Sequence, residues 1–191
     1  MSNLLPFKKR PASAKLLPII IVALVIGGIV GFYVPDLASL KNKVIASTSE
    51  DRMVGDIRGY AVITDGDTIK INGELIRFHG IDAPEIDQPC WVESRRYQCG
   101  IEARAYLNTI INNQIVNCFT LSTDQYGRIV ARCYNHKNED IEAQMVIAGM
   151  ATAYTYYSYD YLMEELQARW NGTGIWTGEF ENPYDYRRNT H

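Results

Sequence analysis

Zinc-ligand spacing is missing from this chain. Its 3 histidines, His79, His136 and His191, are dispersed, and its 4 cysteines contain no Cys-x-x-Cys pair. That excludes a zinc knot as the organising chemistry. A basic excess is missing as well. The formal net charge is −3, and residues 50–191 carry 13 Lys and Arg against 21 Asp and Glu, a net of −8. Proteins that coat nucleic acid through long-range attraction do not have this balance, so any phosphate must be held by local arginines. Internal repeats and low-complexity tracts are absent too, and the apolar and charged fractions, 47% and 21%, exclude a disordered or fibrous chain.

What is present begins with an uncharged run of 19 residues, Leu16 to Val34 (LLPIIIVALVIGGIVGFYV). At 1.5 Å per residue it roughly spans a ~30 Å hydrocarbon core. Lys8, Lys9, Arg10 and Lys15 precede it, and Lys41 and Lys43 are the nearest cations after it. The positive-inside bias therefore predicts a cytoplasmic segment 1–15, a single-pass anchor 16–34, and everything beyond on the far side. A cleaved leader is the rival reading. Its apolar core is usually ~7–15 residues with a small-x-small site close behind. Here the run is longer, and Val44-Ile45-Ala46 lies well downstream. Ala23, Gly27 and Gly31 form a small-xxx-small stripe that permits weak pairing of two anchors. No obligate protein partner is expected. Residues 35–55 lack a strong period and read as a linker, which leaves a domain over 56–188.

Within that domain, residues 57–64 (IRGYAVIT) form a β-rich run, and 68–71 and 74–81 flank Asn72-Gly73, a strong hairpin signal. Ala103, Leu107, Ile110 and Ile111 lie at helical spacing. Residues 114–121 and 128–134 enclose the turn Asp124-Gln125-Tyr126-Gly127. A hairpin centred between Gln125 and Tyr126 sets Cys118 opposite Cys133, within disulfide range, and leaves Cys90 to pair with Cys99. Two bridges fit an oxidising compartment beyond the membrane. Further helices are predicted over about 140–148, stopped by Gly149, and about 160–171, stopped by Gly172. Five strands with a helix after the third, then two more helices, predict an α+β fold: a small closed barrel packed on three helices.

Residues 76–85 read Ile-Arg-Phe-His-Gly-Ile-Asp-Ala-Pro-Glu. An arginine in an apolar strand is costly unless it meets an anion, and paired acids repel unless a cation sits between them. Asp67 and Asp82 at adjacent strand ends, with a backbone carbonyl, make an oxygen-only site suited to Ca²⁺. Glu85 stands where a general base would, and Arg77 and Arg128 offer forked donors to phosphate oxygens. These are the parts of a phosphodiester hydrolase. One register resists the grouping: a two-residue turn at Asn72-Gly73 pairs Arg77 with Thr68, so strict alternation turns Asp67 to the other face. The site requires Asp67 to lie in the Asp65-Gly66-Asp67 turn.

Three segments, Val62 to Lys70, Ile76 to Glu85 and Asp124 to Arg128, resemble the signature segments of the thermonuclease family, of which staphylococcal nuclease is the best-known member. Gly149 to Tyr154 and Gly174-Ile175-Trp176 resemble its later landmarks, and the likeness covers about residues 57–180. The resemblance implies a five-stranded oligonucleotide-binding-type barrel and a Ca²⁺-dependent nuclease that cleaves the 5′ P–O bond of DNA and RNA and leaves 3′-phosphates, with single-stranded DNA or RNA as the expected partner. It assigns Asp67, Asp82 and the carbonyl of Ala83 to the metal, Glu85 to the general base, and Arg77 and Arg128 to phosphate. Tyr126, Tyr154 and Tyr156 would line the nucleotide pocket. Two positions depart from the pattern: Ala83 replaces a threonine, and Gln125 replaces a lysine. The stretch from Glu85 to Gly100 is also longer and carries Cys90, Cys99, Arg95 and Arg96. Two other functions stay open: a non-catalytic nucleic-acid-binding barrel, and an accessory role in envelope or exopolysaccharide assembly. His79, Trp170 and Trp176 read as packing residues.

Overall fold

The computed structural model describes residues 55–190. The expected cytoplasmic segment, the anchor over 16–34 and nearly all of the linker lie outside those residues. Five strands close a barrel: β1 (Ile57–Ile63), β2 (Thr68–Ile71), β3 (Glu74–Phe78), β8 (Ile129–Tyr134) and β7 (Ile115–Thr123), with β7 returning to β1. All neighbours are antiparallel except β3 and β8. Closure leaves no long edge, which suits so short a set of strands. The β2–β3 hairpin turns at Asn72 and Gly73, whose φ angles of 52° and 94° are those of a primed two-residue turn.

The interior is aliphatic. Ile69, Ile71, Ile76 and Phe78 from the first hairpin meet Val116, Cys118, Ala131 and Cys133 from the second. Helix α1 (Cys99–Ile111) lays Ala103, Leu107 and Ile111 on this core, and α2 (Ile141–Ile147) adds Met145 and Val146. Asp140 caps α2 by accepting from the Ala143 N–H at 2.8 Å. Helix α3 (Leu162–Asn171) ends at Gly172, whose left-handed φ of 59° is the expected stop. Both cystine bridges form as the sequence predicted, Cys90–Cys99 and Cys118–Cys133.

The closed barrel fits the predicted fold class, and four details differ from it. The third strand was expected to run to Ile81 but ends at Phe78. Gly80, at φ 71°, turns the chain, and β4 (Ile81–Asp82) pairs with β9 (Thr152–Ala153) off the barrel. A second small sheet, unforeseen, joins β5 (Pro89–Val92), β6 (Arg95–Gln98) and β10 (Glu179–Phe180). A fourth helix, α4 (Pro183–Thr190), follows a 3-10 turn at Gly174–Thr177. It has no apolar period to mark it in the sequence. Trp176 packs on Phe180, whereas Trp170 is 90% exposed on α3 because its position falls on that helix's solvent face.

Candidate active site

The chain enters the site through the turn between β1 and β2. Asp65 Oδ1 accepts the Asp67 N–H at 3.0 Å, a side-chain-closed turn. A Cβ on Gly66 would meet the Ala83 and Ala103 Cβ atoms at 2.6 and 2.9 Å, so only glycine lets this turn lie against β4 and α1. Asp67 thereby leaves the strand alternation. Thr68 does pair with Arg77, yet the buried Asp67 carboxylate swings onto the Arg77 guanidinium. Asp67 Oδ1 also accepts from Thr68 Oγ1 at 3.0 Å, and Oδ2 from the Ala83 N–H at 2.9 Å.

Arg77 bridges the two aspartates. Its Nη2 donates to Asp82 Oδ1 at 2.7 Å and to the Ile81 carbonyl at 3.3 Å. The β4–β9 pair holds Asp82 there, with Thr152 Oγ1 donating to the Asp82 carbonyl at 3.1 Å. Glu85 follows in a turn fixed by Gln88. The Glu85 N–H reaches Gln88 Oε1 at 3.2 Å, and Gln88 Nε2 donates to the Glu181 carbonyl at 2.6 Å.

Sequence reasoning missed a third participant. Arg187, on α4, donates through Nη2 to both Asp82 oxygens at 2.8 Å and through Nη1 to Glu85 Oε1 at 2.8 Å. The available signals were Pro183 at a helix start and Tyr184 and Arg187 three apart on one face. Neither resembles a catalytic motif.

These contacts set the electrostatics. Burial, reinforced by the Asp67 charge, pushes the Asp82 carboxyl up to about 6 despite both arginines. Burial and the same Asp67 charge raise Asp65 to about 6. Asp67 is held below the usual carboxylate range: burial pushes it up, but Arg77 and the Ala83 N–H outweigh that. A carboxylate has about four acceptor sites, and the contacts above use three on Asp67 and three on Asp82. About one site then remains on each Oδ2. Among the described residues no three His, Cys, Asp or Glu gather at metal-ligand spacing. A cation here would rest on two aspartates, main-chain oxygen and water. That hard-oxygen set fits Ca²⁺ and not zinc.

The remaining predicted residues fall into two neighbouring groups. Arg128 precedes β8 and binds Asp124 Oδ2 through Nε at 2.7 Å, with its guanidinium 5.6 Å from the centre of the exposed Tyr126 ring. No hydrogen bond joins this pair to the acid cluster, although Val130, two residues on, is the β-partner of Arg77. Tyr154 lies beside Asp82: burial and then the Asp82 charge raise its hydroxyl pKa. Its ring contacts Tyr156 and Tyr184, at centroid distances of 6.3 and 6.1 Å. His79 meets Asp160 at 3.2 Å, outside the cluster.

Known proteins are similar to this chain in sequence. The family model described as Staphylococcal nuclease homologue matches residues 75–178, a span that leaves out Asp67 and Arg187. The chain is 33% identical over 129 residues to the succinoglycan biosynthesis protein ExoI of Rhizobium meliloti, covering 66% of this chain and 68% of that protein. It is 29% identical over 153 residues to the probable endonuclease lcl3 of Sclerotinia sclerotiorum, covering 71% of this chain and 56% of that protein. It is 32% identical over 137 residues to the probable staphylococcal-like nuclease CAN2 of Oryza sativa subsp. japonica, covering 70% of this chain and 34% of that protein. Because the family match runs over more than half the chain and over the strand ends that carry Arg77, Asp82, Glu85 and Arg128, the chain belongs to the staphylococcal nuclease homologue family.

Proposed function

We propose that the chain is a Ca²⁺-dependent nuclease that hydrolyses phosphodiester bonds of DNA or RNA to 3′-phosphate products. The observation that carries this is Arg77 between two buried aspartates, with Glu85 joined to the second of them through Arg187. Asp67, Asp82 and the carbonyl of Ala83 would hold Ca²⁺, which when bound supplies charge to the phosphate oxygens. Arg128 holds the phosphate through its Nη groups, and Arg77 through the N–H groups that it does not spend on the two aspartates and the Ile81 carbonyl, by hydrogen bonds that strengthen as the phosphate oxygens gain charge. Glu85 orients a water and takes its proton as the oxygen attacks phosphorus. The bond from phosphorus to the 5′ oxygen breaks, that oxygen is protonated from solvent, and the phosphate stays on the 3′ side. Tyr126, Tyr154 and Tyr156 offer faces on which bases stack.

The same reading sets the domain on the outer side of a membrane, held by residues 16–34. Two cystines support it, since such bonds persist in oxidising compartments. An accessory role in exopolysaccharide assembly is the second reading, favoured by the name of the Rhizobium relative.

The test uses the purified full chain in mild detergent with its cystines intact. Single-stranded DNA and RNA are offered with Ca²⁺ or with a chelator, beside Glu85→Gln. Cleavage is expected only with Ca²⁺, and the variant is expected to lose at least about 10²-fold in rate. A folded, Ca²⁺-binding wild type that cuts neither polymer overturns the nuclease and leaves a binding barrel or the polysaccharide role.

A further inference from the structure

The C-terminal helix reaches into the site at two points, three residues apart. Arg187 joins Asp82 to Glu85, and Tyr184 sets its ring 6.1 Å from Tyr154 and 6.5 Å from Tyr156. The approach is fastened ahead of the helix. Gln88, fully buried, holds the Glu181 carbonyl, and Asn182 Oδ1 accepts the Tyr184 N–H at 3.0 Å. Asp82 and Glu85 are like charges only three residues apart, and the Glu85 side chain is 31% exposed. Left alone, Glu85 would turn away from Asp82 into water. A planar guanidinium with donors in a fixed fork prevents that, because one group meets both acids in one geometry.

We propose that Arg187 is a positioning residue of the site: it fixes the Glu85 carboxylate beside Asp82, so α4 is a working part of the nuclease. The assignment rests on the nuclease reading above. Arg187 uses one donor pair on Asp82 and one N–H on Glu85. The contacts also leave about one acceptor site on Asp82 Oδ2, so Arg187 does not use up the oxygens a cation needs. A helix that merely masked the site would compete for those oxygens and be released before cleavage. The two roles predict opposite signs when the guanidinium is removed.

Full-length wild type, Arg187→Ala and Arg187→Lys are compared for single-stranded DNA cleavage, for Ca²⁺ affinity by calorimetry, and for melting. With positioning, Arg187→Ala lowers kcat by about 10–100-fold, the scale of a misplaced catalytic group. KM stays near wild type and Ca²⁺ affinity does not fall. Millimolar guanidinium restores part of kcat to the alanine variant. Lysine, a point charge that cannot fork, keeps the fold but not the rate. Should the alanine variant fail to melt cooperatively, the lysine variant decides by the same kcat comparison. Wild-type or faster cleavage by a folded variant, no response to guanidinium, or loss of Ca²⁺ binding overturns the positioning role. An inactive wild type instead overturns the nuclease reading, and this inference with it.

Discussion

Burying Asp67 and Asp82, at 4% and 1% exposure, carries a desolvation cost of several kcal/mol per ion in general, and Arg77 offsets it by meeting both. A second buried acid lies away from the site. Glu142, fully buried, accepts the Cys133 N–H on both oxygens at 3.0 and 3.2 Å. Burial, then the Asp140 charge, holds its carboxyl well above the usual range. The folded chain therefore keeps this proton at a pH where the unfolded chain, with a value of about 4.3, has lost it. Stability from Glu142 is full below that value and falls as pH rises towards the folded pKa. Glu142→Gln retains the acceptor without the proton. Urea midpoints at pH 5 and pH 8 should show wild type losing ground to the variant, by about 1.4 kcal/mol per pH unit inside the window. A variant that instead weakens as pH rises would mean that the fold holds Glu142 ionised.

At the scale of elements, the β7–β8 hairpin shows how a turn and a register can be partly independent. A centre between Gln125 and Tyr126 was expected, but the pairs nearest the turn, Ser122 with Val130 and Thr123 with Ile129, centre on Tyr126. A bulge between Thr120 and Ser122 absorbs the extra residue and restores Cys118 opposite Cys133. The end of α2 is less forgiving. Gly149 has φ 65°, its carbonyl accepts the Ile175 N–H at 2.9 Å, and an added Cβ would lie 2.0 Å from the Thr173 carbonyl oxygen. Gly149→Ala is expected to cost about 2–4 kcal/mol, combining left-handed backbone strain with overpacking. Denaturant unfolding reads this directly, and a change below about 0.5 kcal/mol, within the ordinary surface range, would show that the junction yields.

For the whole molecule, the balance of charge governs how a polyanion is held. Residues 50–191 carry a net charge of −8, and the proposed phosphate donors are Arg77 and Arg128. With two phosphate contacts, single-strand affinity falls with log salt at a slope of about −1.4. Raising salt from about 50 to 200 mM at fixed Ca²⁺ should then raise KM roughly 7-fold, against 10³–10⁵ for a protein with many phosphate contacts. A much steeper dependence would reveal a basic surface that the acidic composition conceals.

Much of this was determined by the sequence. Asn72-Gly73, the alternating strands and Gly172 specify the barrel hairpin and a helix end because local backbone preference and side-chain period act over a few residues. The segments that carry Asp67, Arg77, Asp82, Glu85 and Arg128 made the family resemblance legible, and the family match over residues 75–178 agrees with it. Tertiary structure alone decided the rest. Gly66 packs against Ala83 and Ala103 and so brings Asp67 onto Arg77, against strand alternation. The left-handed turn at Gly80 lets β4 leave the barrel and hold Asp82 on β9. Arg187 lies 102 residues from Glu85 and 105 from Asp82, on a polar helix without a period. Its place follows from long-range charge pairing and aromatic contact, which no local pattern in a single sequence encodes.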